Sequence, residues 1–139
     1  MRVVITHKPD VEITDPYIIK HMKEHAIAAL QTSQYYGEEF QVYGIEMRDN
    51  VPYYYICLNE SSPFPIPMCG LLCKVLDSRV SSYWKMRVGC YLSDYNVSTR
   101  FVFHEWFQSR VFYEDLLNGD PDAEATFAKY KDLMDKEFS

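Results

Sequence analysis

The segment HMKEH at residues 21–25 carries the most definite chemical pattern in the chain, because it matches the H-x-x-E-H signature of inverted zinc proteases. Histidines four positions apart share one helix face, where both can bind a zinc ion while the glutamate acts as general base. The apolar stripe of this segment instead predicts that His25 lies at the edge of a buried face and His21 towards solvent. A third ligand would have to come from elsewhere in the chain, and short motifs often match by chance. We therefore interpret both residues as surface histidines and expect no metal site.

The four cysteines are a weaker candidate for a metal site. Cys69 and Cys73 are separated by three residues, a spacing that overlaps those of zinc ligands. A strong zinc signal needs two close pairs, however, and Cys57 and Cys90 stand alone in apolar segments. We therefore predict four free thiols that pack as small hydrophobic side chains.

No catalytic signature in the chain is complete. His104 and Glu105 begin an H-E-x-x-H pattern, but Gln108 stands where the second histidine is required. The G-x-S-x-G elbow of serine hydrolases is absent, and the five glycines form neither a phosphate-binding loop nor a dinucleotide fingerprint. Adjacent carboxylates at 38–39 and 114–115 are typical of a solvated surface. We therefore expect a protein without a cofactor, and a binding protein rather than an enzyme.

A small group of basic residues is interleaved with aromatic ones near the predicted strand 83–92. Its members are Tyr83, Trp84, Lys85, Arg87, Tyr91 and Arg100. Surfaces of this kind can stack single-stranded bases. Alternation along a strand explains the same pattern, with Lys85 and Arg87 facing solvent while Trp84 and Met86 enter the core. We favour alternation, because the net charge of −6 opposes binding to nucleic acids or anionic membranes.

The acidic charge is concentrated in the C-terminal third, where residues 101–139 contain nine acidic and four basic residues. Glu114, Asp115, Asp120 and Asp122 cluster at the junction of the last two predicted helices. We predict that these four residues form part of a surface that binds a basic protein partner, for which a toxin is one candidate. The alternative is that they serve only as helix caps and solubilising charges, since carboxylates are common at helix starts.

Periodicity and turn signals predict the elements that must position these residues. Residues 3–6 favour a strand, and Thr14-Asp15-Pro16 is a helix-start signal before an amphipathic helix over 17–30. Strands are predicted at 40–47, where Gly44 indicates a bulge, and at 53–58, whose apolar character at every position predicts a central strand. The alternating prolines of 61–67 predict an extended, polyproline-like loop. Further strands are predicted at 71–76 and 83–92.

The last third of the sequence is predicted to be helical. Residues 100–117 are apolar around most of a helix surface, which predicts either one deeply packed helix or two helices broken near Ser109. Asn118-Gly119 ends this segment, and Asp120-Pro121 begins the final helix.

These elements predict an α+β fold in a single domain spanning residues 1–139. The sheet is expected to be mostly antiparallel, with about four to five strands, and to pack against one N-terminal and two C-terminal helices. No secretory signal and no long apolar segment occur in the sequence, so we expect a soluble, cytoplasmic protein.

Two functions remain open at this stage. The first is an immunity or antitoxin-type inhibitor that neutralises a toxin or nuclease by direct binding, as the small size, net acidity and missing catalytic signature suggest. The second is a small enzyme or ligand-binding domain with a tyrosine-lined pocket where Tyr53, Tyr54 and Tyr55 meet the proline loop.

Overall fold

The computed structural model of the chain describes residues 1–6, 12–20, 33–48, 50–90 and 97–139. Their strands are β1 (Arg2–Ile5), β2 (Glu39–Arg48), β3 (Val51–Ile56), β4 (Ile66–Cys69), β5 (Cys73–Asp77), β6 (Lys85–Cys90) and β7 (Val97–Val102). Their α-helices are α1 (His104–Gln108), α2 (Phe112–Leu117) and α3 (Pro121–Glu137). Short 3₁₀ turns lie at Ser33–Tyr35 and Gly70–Leu72, and residues 16–20 are also helical.

The seven strands form one sheet in which every described pairing is antiparallel. The main order is β4-β3-β2-β1-β5. The long strand β2 pairs with β3 along one edge and divides its other edge between β1, at residues 39–41, and β7, at residues 45–47. Strand β6 then extends the sheet outward from β7. The predicted α+β class with a mostly antiparallel sheet is confirmed, whereas the predicted count of four to five strands is wrong.

A β-bulge in β2 determines which side chains face the C-terminal helices. The register between β2 and β3 shifts between Val42 and Gly44, as the glycine indicated. Tyr43 packs in the cluster beneath the helices and Val42 on the opposite face, and Gly44, after the shift, also approaches Trp106 of the helix-facing cluster. Gly44 lies in a close approach, because an added Cβ would be 3.2 Å from the Val102 side chain, which would have to shift slightly.

Strand β3 is central, as its continuous apolar sequence predicts. It lies between β2 and β4, and residues 53–56 are all buried. Tyr55 packs in the helix-facing cluster, whereas Tyr54 and Ile56 pack in a second cluster on the other face. Burial on both faces explains why no polar position interrupts this strand.

The proline-rich segment departs from the prediction at its C-terminal end. Pro67 was expected in a loop, but it pairs with Tyr55 as part of β4. Proline is tolerated there because β4 is at the end of the main strand order, and an outward-facing proline nitrogen removes no ladder hydrogen bond. The strand predicted at 71–76 divides into the 3₁₀ turn at Gly70–Leu72 and β5.

The predicted alternation around β6 is confirmed for Lys85, which is exposed, and for Trp84, which packs on the core, but it is wrong for Met86. Met86 and Val88 are each 61% exposed, although the alternation placed Met86 in the core. The basic side chains instead approach α1, with Lys85 Nζ 3.1 Å from His104 Nδ1 and Arg87 donating to the carbonyl oxygen of Phe107. Alternation fixes which residues share a face, but the layer packed against the sheet decides which face is covered.

The helical prediction for residues 100–117 was partly wrong. Its first residues, 100–102, instead belong to β7, because strand pairing with β2 and β6 outweighs the local helical pattern. The remaining segment is broken as one alternative predicted, since the backbone of Ser109 is extended between α1 and α2. Helix α3 begins as expected, with the Asp120 side chain accepting a hydrogen bond from the Ala123 amide at 2.9 Å.

The start of the predicted N-terminal helix is also confirmed. Asp15 Oδ1 accepts a hydrogen bond from the Tyr17 amide at 2.8 Å, and residues 16–20 are helical. Residues 21–30 of that prediction lie outside the described part of the chain. Among the helices that the structure describes, none is long and apolar enough to cross a membrane.

Candidate functional site

A buried charged cluster lies on the helix-facing side of the sheet, where β2, β3 and β7 meet. Glu46 is 5% exposed, and its two carboxylate oxygens accept hydrogen bonds from Arg48 Nε at 3.0 Å and from the Tyr55 hydroxyl at 2.9 Å. Arg100 is opposite Glu46 in the strand register, with its Nε 3.3 Å from Glu46 Oε2. The Arg48 guanidinium also covers the Tyr53 ring at 4.6 Å. We call these residues the Glu46 cluster.

The Glu46 cluster stabilises the sheet through interactions among its own members. Burial, together with the negative charge of Glu46, raises the pKa of Tyr55 well above its ordinary value, so its hydroxyl remains a hydrogen-bond donor. One carboxylate thereby joins side chains from three strands. A buried carboxylate held in this way is expected in a structural network, because its charge must be paired inside the fold.

The aromatic residues near β6 pack into the fold. The Trp84 indole N–H donates to the Tyr43 carbonyl oxygen at 3.1 Å, and the Tyr83 ring contacts Tyr130 edge to face at 6.0 Å between centroids. Tyr91, the third aromatic member of the predicted basic–aromatic group, lies outside the described residues. Rings used in this way are not presented as a platform for stacking bases.

An open cleft lies between the turn at residues 59–63 and the exposed side of α3. Its volume is about 420 Å³. The lining comprises Glu60, Ser61, Ser62, Pro63, Glu124, Phe127, Ala128, Lys131, Asp132 and Asp135. Four carboxylates and one lysine contribute to this lining, so the cleft is strongly acidic. We call it the acidic cleft, and its volume is within the range of pockets that hold small ligands or anchoring side chains.

The first wall of the acidic cleft is held in place by hydrogen bonds within its turn. The Asn59 side chain accepts from the hydroxyls of Ser61 and Ser62 at 3.2 and 2.9 Å, and the Asn59 carbonyl accepts from the Ser62 amide. Farther along, the Tyr113 hydroxyl of α2 donates to the Pro65 carbonyl oxygen at 2.8 Å. The wall is therefore fixed to the helical layer before any ligand binds.

The second wall is connected to the sheet through Asp135. Its carboxylate accepts hydrogen bonds from the Tyr43 hydroxyl and from Lys131 Nζ, each at 2.7 Å. Burial and the Asp135 contact raise the pKa of Tyr43 far above its ordinary value, so the hydroxyl remains a donor. Tyr43, on the helix-facing side of β2, thus connects this wall to the sheet.

The carboxylates of the acidic cleft differ in how far they are neutralised. Asp135 pairs with Lys131, and Asp132 pairs with Lys136 at 2.6 Å. Glu60 and Glu124 form no ion pair or side-chain hydrogen bond with any other residue in the described ranges. Two negative charges at the cleft are therefore available to a ligand.

The four predicted partner-binding residues all lie exposed around the α2–α3 junction. Glu114 and Asp115 are in the first turn of α2, and Asp122 is in the first turn of α3. Asp120 caps α3, so for this residue the alternative role is realised. We call these four residues the α2–α3 acidic surface.

The acids of the acidic cleft were missed by sequence analysis, because Glu60 lies in a turn without a motif and approaches α3 only through tertiary packing.

The other predicted sites are placed as follows. Histidines 21 and 25 lie outside the described residues, and no group of three His, Cys, Asp or Glu side chains suited to a metal occurs within the described ranges. Tyr53, Tyr54 and Tyr55 are between 1% and 8% exposed and contribute to packed clusters. The acidic cleft includes Pro63 of the proline loop, but none of these tyrosines lines it, so it is not the tyrosine-lined pocket of the alternative function.

The cysteine thiols are predicted to react slowly in the native protein. Cys57, Cys69 and Cys73 are free thiols, and burial raises the pKa of Cys57 and of Cys73 to about 12. Because only the thiolate attacks, we expect each of these two to react with a disulfide reagent at pH 8 at least about tenfold more slowly than an exposed thiol. Titration in denaturant should recover four thiols. Recovery of fewer would contradict the prediction, which extends to Cys90.

No protein-family profile, curated protein sequence or solved structure matches this chain significantly. The inference about function therefore depends on the geometry and charge of the chain itself.

Proposed function

We propose that this protein is a noncatalytic inhibitor of the immunity or antitoxin type, which neutralises a basic toxin or nuclease by direct binding. The acidic cleft is the observation that carries the proposal. It combines a concave shape with four carboxylates and a single lysine, on a chain whose net charge is −6. Acidic surfaces of this kind attract basic proteins and exclude acidic ones.

The acidic cleft and the α2–α3 acidic surface both include residues of α3 and both are open to a basic partner. Helix α3 contributes to both, with Asp122 in its first turn at the acidic surface and Glu124 and Asp132 in the cleft lining. Both walls of the cleft are held by hydrogen bonds, so little ordering is needed on association. Such preorganisation reduces the entropic cost of binding and so favours the high affinity that an inhibitor needs.

Charge reversal on the α2–α3 acidic surface tests the proposal. A partner is isolated by pull-down with the tagged chain, and its affinity is measured by titration calorimetry for the native chain and for E114K/D115K. We expect the double variant to weaken binding by about tenfold or more, because rim charges that steer association are replaced by repulsive ones. Raising the salt from about 50 to 300 mM should also weaken binding of the native chain.

The exposed pair Glu38 and Glu39 provides a matched control, since E38K/E39K changes the net charge by the same amount at a distant position. This control should change the affinity much less than E114K/D115K. In addition, the bound partner should lose its toxic or nuclease activity. An affinity insensitive to salt and to both double variants, or a partner that remains active when bound, would refute the proposed function.

A further inference from the structure

The two unneutralised carboxylates of the acidic cleft indicate the kind of group that it receives. Glu60 projects from the turn at 59–63, and Glu124 from α3, so they belong to different walls. The lysines at the cleft neutralise its other two carboxylates, with Lys131 on Asp135 and Lys136 on Asp132. A cation entering the cleft therefore finds its strongest attraction at Glu60 and Glu124.

The shape of the site favours an extended cation over a metal ion. The cleft carboxylates all lie in the described part of the chain, yet no three of them converge as metal ligands do. The volume of about 420 Å³ also exceeds what a metal ion requires. The lining also includes the apolar residues Phe127 and Ala128, which suit the aliphatic stem of a long side chain.

Of the two long cationic side chains, arginine fits these features better than lysine. Its planar guanidinium carries five N–H donors in a fixed fork and can bind two carboxylates from separate walls at once. A lysine ammonium is a compact, strongly hydrated charge that loses more on entering a partly apolar cleft. Arginine is also among the residues that contribute most to protein interfaces.

We propose that the acidic cleft binds an arginine side chain of the partner protein, with Glu60 and Glu124 receiving the guanidinium group. This inference rests on the proposed function for the identity of the partner as a basic protein. Beyond that function, it identifies one anchoring contact as an arginine side chain of the partner. This contact lies in the acidic cleft and not on the α2–α3 acidic surface.

The test uses N-acetyl-arginine amide as the probe, titrated into the full ¹⁵N-labelled chain and followed by NMR. We expect saturable shifts for backbone amides of residues 60–62 and 124–132, with a dissociation constant in the millimolar range, as a single-residue ligand allows. The lysine analogue should bind at least about threefold more weakly. The uncharged citrulline analogue, which has nearly the same shape, should give no saturable shift.

Matched variants assign the binding to the two glutamates. E60Q/E124Q should weaken arginine binding by about tenfold or more, whereas E114Q/D115Q, with the same loss of charge outside the cleft, should bind as the native chain does. Any of four results would overturn the inference. They are citrulline binding as strong as arginine binding, shifts centred outside the cleft, unchanged arginine binding by E60Q/E124Q, and shifts that do not saturate.

These outcomes are separable from those of the proposed function. A partner that binds in a salt-sensitive manner and is weakened by E114K/D115K, while the arginine probe fails to bind, refutes the arginine anchor alone. The opposite outcome is also distinguishable. If the arginine probe binds saturably but the affinity for the partner does not change with salt or with charge reversal, the inhibitor role is refuted. The cleft then binds arginine, but the arginine is not assigned to a basic protein partner.

Discussion

Replacement of Glu46 by leucine is expected to lower the free energy of unfolding by about 3 kcal/mol, at the lower end of the values for breaking a buried ion pair. The substitution leaves the Arg100 guanidinium, whose side chain is 16% exposed, without its carboxylate. It also removes the acceptor of the Tyr55 hydroxyl. Arg48 is 38% exposed and can regain water, which is why the lower end of the range is expected. Urea denaturation followed by circular dichroism measures the change.

An exposed ion pair supplies the control for Glu46. Glu39 lies 3.3 Å from Arg2, with both side chains about half exposed, and Glu39→Leu should change stability by less than about 1 kcal/mol. A second variant, E46L/R100M, should recover part of the stability lost in E46L, because the buried positive charge is removed as well. Equal, small effects of E46L and E39L would show that the Glu46 cluster contributes little to stability.

Truncation of Trp106 to alanine is expected to cost about 3–5 kcal/mol. The ring is 2% exposed, stacks on Tyr113 at 5.5 Å between centroids, and contacts Tyr55 edge to face at 4.8 Å. Its removal leaves a cavity between α1 and the sheet that these neighbours cannot fill without moving. Thermal and urea unfolding of the variant measure the loss, with Leu117→Ala as the control, since Leu117 is 47% exposed and should cost far less.

Loss of Trp106 should also affect the acidic cleft. Tyr113, which stacks on Trp106, donates to Pro65 and so holds the turn wall. Faster amide hydrogen exchange is therefore expected at residues 61–66 in the Trp106 variant under native conditions. A stability loss below about 1.5 kcal/mol, or unchanged exchange in this segment, would contradict the link between core and cleft.

Features that depend on neighbours a few positions apart were predictable from sequence. Asp15 and Asp120 cap the helices that they were expected to begin, because a cap is a contact between a side chain and an amide two or three residues later. Gly44 marks the bulge. The apolar run in β3 identified the central strand, because burial on both faces leaves no position for a polar side chain.

Where one sequence pattern fits two structures, pairing and packing made the choice. Residues 100–102 were predicted to begin a helix, but they belong to β7, for which β2 and β6 supply strand partners. Pro67 joins a strand because β4 is at the end of the main order. The alternation of β6 was recognised, yet α1 covers the face that carries Arg87 and leaves Met86 exposed. Local preference in such segments is weaker than the energy of strand pairing and layer packing.

The sequence by itself therefore determined the class of the fold, its main helix starts, its central strand and the acidic character of the C-terminal third. The tertiary structure alone decided which acids share a concave site. Glu60 and Glu124 lie far apart in the chain and meet across one cleft because Tyr113 anchors the proline loop to α2 and Tyr43 anchors α3 to the sheet. Such long-range contacts leave no periodic signal in the sequence, since they depend on how packed layers bring distant segments together.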